Sequence, residues 1–135
     1  RELVNCKLEN RLFFTQEITD TVLDFVRGDP EIGGGRREGN IIYETKIPYQ
    51  TARYLAETDL RVRRYYACHC PWARTAIKNG DVRVADTFCM CSGGFHKKPF
   101  EVIFGRPLEV EVLESAVKGQ QRCRFAIHLP ESFQE

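Results

Sequence analysis

Residues 106–130, RPLEVEVLESAVKGQQRCRFAIHLP, carry the pattern on which the fold turns. Leu108, Val110 and Val112 alternate with Glu109 and Glu111. After a turn around Val117 to Gln120, Cys123, Phe125, Ile127 and Leu129 alternate with Arg122, Arg124, Ala126 and His128. A side-chain period of two gathers each apolar set on one face of a strand. The pattern predicts adjacent antiparallel strands over residues 108–114 and 122–129, with one wet face. Cys123, Phe125 and Ile127 are expected to face helices.

Upstream segments supply those helices. In TQEITDTVLDFVRGDP, Ile18, Val22, Phe25 and Val26 recur at helical spacing, with Thr15 as the expected cap and Gly28-Asp29-Pro30 as the stop. Leu3, Leu8 and Leu12 fit an earlier helix within residues 1–14. Gly39-Asn40, between EIGGGRRE and IIYETK, predicts a short hairpin. Pro48 and the breaker-free PYQTARYLAET predict a helix reaching about Thr58. LRVRRYYA reads as a strand entering Cys68, and PWARTAIKNG as a short helix closed by Gly80. DVRVADTFCMC reads as a strand that breaks at Ser92-Gly93-Gly94, and KKPFEVIFG as one more short helix. The expected fold class is α+β, a single domain over residues 1–135 with an antiparallel sheet flanked by helices.

A chain of 135 residues that is 42% hydrophobic and 29% charged has the size of one globular domain with one core. Its net charge of +1 lacks the excess that draws a protein to nucleic acid or anionic lipid, so neither is an expected partner. Apolar runs such as RLFF and EVIFG are too short to cross a bilayer, and no signal-peptide series opens the chain. A cytoplasmic protein with no membrane partner is expected. The first residue is Arg1 instead of Met, as in a processed or truncated product with a further segment upstream. The triple glycine at 33–35 lacks the Gly-Lys-Ser/Thr ending that grips phosphate, so no nucleotide is expected.

The stretch FGRPLEVEVLESAVKGQQRCRFAIHLP resembles the closing motif of 4-vinyl reductase-like domains and of the L-2-amino-thiazoline-4-carboxylic acid hydrolase family. In that motif a glycine leads into a strand ending in Glu-Ser, followed by a glycine turn and a strand with Cys-x-Phe. Here these residues are Gly105, Glu114-Ser115, Gly119, Cys123 and Phe125. CHCP and FCMCSGG are similar to a cysteine-rich, uncharacterised bacterial subgroup of the same set, and the likeness covers roughly residues 60–130. The resemblance implies the architecture shared with haem nitric-oxide-binding domains and some vesicle-transport subunits, together with a pocket for a small organic ligand. No histidine stands in a matching haem-ligating context, so haem is not expected.

Six cysteines without a secretion signal point to metal binding or thiol chemistry more than to disulfides. Four form Cys68/Cys70 and Cys89/Cys91, with His96 just beyond, and together these are the candidate ligands of a zinc ion. On a straight strand residues i and i+2 lie about 7 Å apart, whereas sulfurs on one zinc lie about 3.7 Å apart. Both pairs must therefore leave extended geometry, at Pro71 and at Ser92-Gly93-Gly94, and are expected to meet in one cluster. Redox or nucleophilic use of the same thiols, and inert burial, remain open alternatives. His69 reads as solvent-facing or locally bonded, His128 as structural, and Cys6 has no partner in view.

Cys123 reads as a packed core thiol or, if its face lines a cavity, as a ligand-facing nucleophile, with Glu114 as a candidate base. Tyr65, Trp72, Phe88, Phe100, Phe104 and Phe125 are the candidate walls of an apolar pocket. Three functions compete. The first is a small-molecule-binding domain with a zinc site beside its pocket. The second is a hydrolase of a cyclic amide-like or thiazoline substrate that uses Cys123 or metal-bound water. The third is a structural zinc module that pairs with another protein or with itself as a homodimer.

Overall fold

The computed structural model describes residues 1–80, 83–85 and 87–131. The C-terminal alternation forms β3 (Glu109–Glu114) and β4 (Arg124–His128), paired antiparallel with Val110 opposite Ile127 and Val112 opposite Phe125. The expected hairpin is present, with a short 3₁₀ turn (Ala116–Lys118) between its strands. The Gly39-Asn40 hairpin is also present as β1 (Arg36–Glu38) and β2 (Ile41–Thr45), with Gly39 at φ +56°. The two hairpins join through β2 and β4 into one antiparallel sheet of order β1-β2-β4-β3. β4 is thus central. Its wet face is wet only in part: Ala126, expected outside, is buried between Tyr43 and Glu111 of the flanking strands. β3 is an edge strand, with Glu109, Glu111 and Leu113 exposed.

Among the described residues, six helices complete an α+β fold. The first two are α1 (Glu2–Leu8) and α2 (Asp20–Gly28). The cap of α2 is Thr19 instead of Thr15, because the Thr19 hydroxyl accepts from the Val22 amide and α2 starts one turn later than the apolar spacing implied. α3 (Thr51–Ala56) likewise starts after Pro48 and ends before Thr58.

LRVRRYYA is not a strand. It forms α4 (Leu60–Ala67), started by Asp59, whose carboxylate accepts from the amides of Arg61 and Val62. Two orphan amides satisfied by one side chain outweigh the alternation of Leu60 and Val62 with arginines. Asp59→Ala is expected to destabilise the start of α4, read as a lower denaturation midpoint at unchanged slope. The helix expected at PWARTAIKNG is α5 (Pro71–Asn79), with Pro71 in the first turn and Gly80 left-handed at its end.

The strand expected at 81–91 is absent at residues 83–85 and 87–91; residues 81, 82 and 86 lie outside the described residues. Instead α6 (Met90–Phe104) begins at Cys89 and runs through Ser92-Gly93-Gly94 and Pro99. The glycines do not break it because packing favours one of them. A Cβ on Gly93 would stand 3.3 Å from Val110 and 3.7 Å from Phe125, so the helix lies closer to the sheet than a larger residue permits.

The core has three parts. Ile42, Leu108, Ile127 and Leu129 pack with Phe100 and Phe104 between sheet and α6. Tyr54, Ala67, Cys68, Ala73, Ile77 and Ala116 join α3, α4 and α5 to the 3₁₀ turn. Cys6, Ile18, Val22 and Leu23 hold the N-terminal helices. Among the described residues no helix is long and apolar enough to cross a membrane.

Candidate functional site: a cavity of thiols

Both cysteine pairs sit at helix junctions. Cys68 ends α4 and Cys70 precedes Pro71 at the start of α5, so a helix–helix corner presents both thiols. Cys89 precedes α6, and Cys91 lies in its first turn. The third contributor is Cys123, just before β4, which the Lys46 amide fixes by donating to its carbonyl at 2.9 Å.

Cys68, Cys70, Cys89, Cys91 and Cys123 all line one cavity of about 30 Å³, together with Lys46, His69, Phe88, Ser92, Glu114, Ser115 and Phe125. Three segments distant in sequence therefore bring five thiols to one small space. Cys68 is buried, Cys70, Cys89 and Cys123 are half-buried, and Cys91 is exposed. All six cysteines of the chain are free thiols. The remaining one, Cys6, lies in the N-terminal core, where the Arg11 guanidinium donates to its sulfur at 3.0 Å.

The polar groups around the thiols form a second layer. Cys89 Sγ is 3.1 Å from Ser115 Oγ, and the Ala116 amide donates to Cys123 Sγ at 3.5 Å. Lys46 Nζ donates to Ser92 Oγ at 2.8 Å and is the cation of the cavity wall. Arg122 Nε donates to Glu114 at 2.9 Å, which fixes that carboxylate as an ion-pair partner. Burial pushes the Cys68 thiol up to about 12, helped by the nearby charges of Cys123, Cys70 and Cys89. Burial likewise pushes Cys123 up, against the Ala116 hydrogen bond and Lys46, which pull it down. Among the described residues, no three His, Cys, Asp or Glu side chains already stand converged around a metal position. To chelate, Cys89 must turn from Ser115.

The other expected site residues divide. Of the six aromatics, only Phe88 and Phe125 reach the cavity. Tyr65 packs under Arg74 at 4.3 Å and borders a separate groove, and Trp72 is 78% exposed. Phe100 and Phe104 belong to the core beneath α6. His96 is not in the cavity wall. It stacks on Phe125, centroids 4.6 Å apart, and its Nδ1 is 2.7 Å from Glu44 Oε2. Its buried Nε2 makes no hydrogen bond within the described residues. His69, by contrast, does line the cavity, although its Nε2 is bonded to the Ile47 carbonyl at 2.7 Å and burial pulls its pKa down to about 4. Lys46 carries no local sequence signal and reaches the thiols only through the fold; Ser92 follows Cys91 directly, and Ser115 stands in the quoted Glu114-Ser115 pair.

No curated protein and no solved structure matches the chain. Residues 43–134, which include every residue lining the thiol cavity, match the family of unknown function DUF6144, and the chain belongs to that family.

Proposed function

We propose that the protein is a thiolate metal-binding domain whose cavity takes one soft divalent ion, zinc first among them, on Cys68, Cys70, Cys89 and Cys123. The observation that carries this reading is that five free thiols from three segments line one small cavity. Cys68, Cys70, Cys89 and Cys123 are the buried and half-buried thiols of the five, which favours these four as the tetrahedral set. Four thiolates around Zn²⁺ carry excess negative charge, which Lys46, the Ala116 amide and the Ser115 hydroxyl are positioned to offset. Binding must displace thiol protons, so affinity falls as pH falls.

A cavity of about 30 Å³ has room for an ion and a water-sized neighbour. The organic ligand implied by the 4-vinyl reductase-like resemblance needs several hundred Å³. The hydrolase reading is weaker, since an activated nucleophilic cysteine has a lowered pKa and burial pushes Cys123 the other way. A site closed by four protein thiolates is structural or sensory in type, without the open position of a catalytic zinc. A reducing, cytoplasmic compartment suits such a site, because oxidised thiols would not ligate.

The test is titration of reduced protein with Zn²⁺ and with Co²⁺ as a coloured substitute. One equivalent is expected, with a sulfur-to-cobalt charge-transfer band and a raised melting temperature. Cys68→Ser and Cys123→Ser are each expected to weaken binding at least tenfold, on the order seen when zinc-site groups are removed. Absence of stoichiometric binding with all thiols reduced overturns the reading.

A further inference from the structure

Five thiols line a cavity in which a tetrahedral ion uses four. The surplus thiol is distinct in position. Cys91 alone among the five is exposed, and its sulfur faces the Phe88 carbonyl at 3.8 Å. It stands in the first turn of α6, two residues beyond Cys89, and beside Ser92, which holds the Lys46 ammonium. The thiols thus grade from exposed Cys91, through half-buried Cys89, Cys70 and Cys123, to buried Cys68.

Resting on the metal-binding reading, we propose that Cys91 is the entry thiol of the cavity: it takes the ion by ligand exchange from a thiol-bearing donor and passes it inward to Cys89. A metal fully wrapped by sulfur does not dissociate readily, and the low-barrier route between two sulfur sites is replacement of one thiolate by another, as in thiol exchange generally. The step balances. The Cys91 thiol gives up its proton, its sulfur bonds the metal, the donor sulfur leaves and takes a proton, and the oxidation state of the metal is unchanged. The same exchange moves the ion from Cys91 to Cys89. A donor complex of zinc with thiolates is anionic, which matches the ammonium of Lys46 at the cavity wall.

The experiment presents zinc to reduced protein in two forms, as the aqueous ion and prebound to an excess of N-acetylcysteine. Uptake is followed by quenched native mass spectrometry, and final affinity by competition with a chelator. Cys91→Ser is expected to slow uptake from the thiol donor about tenfold, to slow uptake of the aqueous ion less, and to leave affinity within about threefold of the parent chain. Cys68→Ser, the comparison variant, is expected to lose affinity from either source. Uptake by Cys91→Ser at the parent rate overturns the proposal. So does a loss of affinity equal to that of Cys68→Ser, which would make Cys91 a resident ligand. If the parent chain takes zinc from neither source, the metal-binding reading itself fails, an outcome distinct from both.

Discussion

Phe125→Ala is expected to lower folding stability by about 3–5 kcal/mol, the range for a fully buried aromatic whose site cannot collapse. The ring has no exposed surface and is shared by three structures: it walls the thiol cavity, stacks on His96 and supports Gly93 of α6. Its strand is central, so neighbouring strands on both sides resist inward movement. Truncation leaves a void continuous with the thiol cavity. Urea denaturation should show the loss as a lower midpoint with an unchanged slope. Phe125→Leu, which retains most of the volume, should cost far less. A loss below about 1 kcal/mol for the alanine variant would mean that α6 does not rest on this ring.

The second large effect is a loss of stability in acid centred on Glu31. This carboxylate, 6% exposed, accepts two hydrogen bonds from Arg124 at 2.7 and 2.8 Å and one from Thr45 at 2.9 Å. Arg36 adds a longer contact at 3.4 Å. The Arg124 guanidinium holds the Glu31 carboxyl well below its usual 4.5, at about 2. Because the folded value is depressed, the stability it contributes is present above pH 4.5 and is lost as pH falls toward 2. At 1.36 kcal/mol per pH unit this amounts to about 3 kcal/mol. Glu31→Gln should flatten that part of the profile while lowering stability at pH 7, where Arg124 is left with a neutral partner. An acid limb equally steep in the variant would place its source in other carboxylates.

The terminal hairpin was legible because alternation over two strands has one solution, and a slip by one residue would expose Phe125 and Ile127 together. Two middle segments were less legible. LRVRRYYA satisfies both a period of two and a short helix, and the deciding group, the Asp59 carboxylate, lies just outside it. Gly93 was read as a breaker from its propensity, whereas its role is set by distance to Val110, a contact across sequence that no local window contains. The same limit explains the site. The two cysteine pairs are expected to meet, and they line one cavity; alternation puts Cys123 on an inward face, as a packed core thiol or a ligand-facing nucleophile, without showing it as a neighbour of both pairs. His96 was attached to the second pair by nearness in sequence. On α6 it falls two turns beyond Cys89, where it stacks on Phe125 and meets Glu44 instead of lining the cavity.

The position of β3 at the margin of the sheet has a consequence for behaviour in concentrated solution. An edge strand offers unpaired amides and carbonyls to any extended chain that approaches it, including β3 of another copy. Glu109 and Glu111 project from this margin, and an antiparallel pairing of two such strands would set carboxylate against carboxylate. Repulsion therefore guards the margin. Loss of the Glu31 anchor in acid loosens the sheet behind it, so more unpaired backbone meets neighbouring copies as the fold weakens.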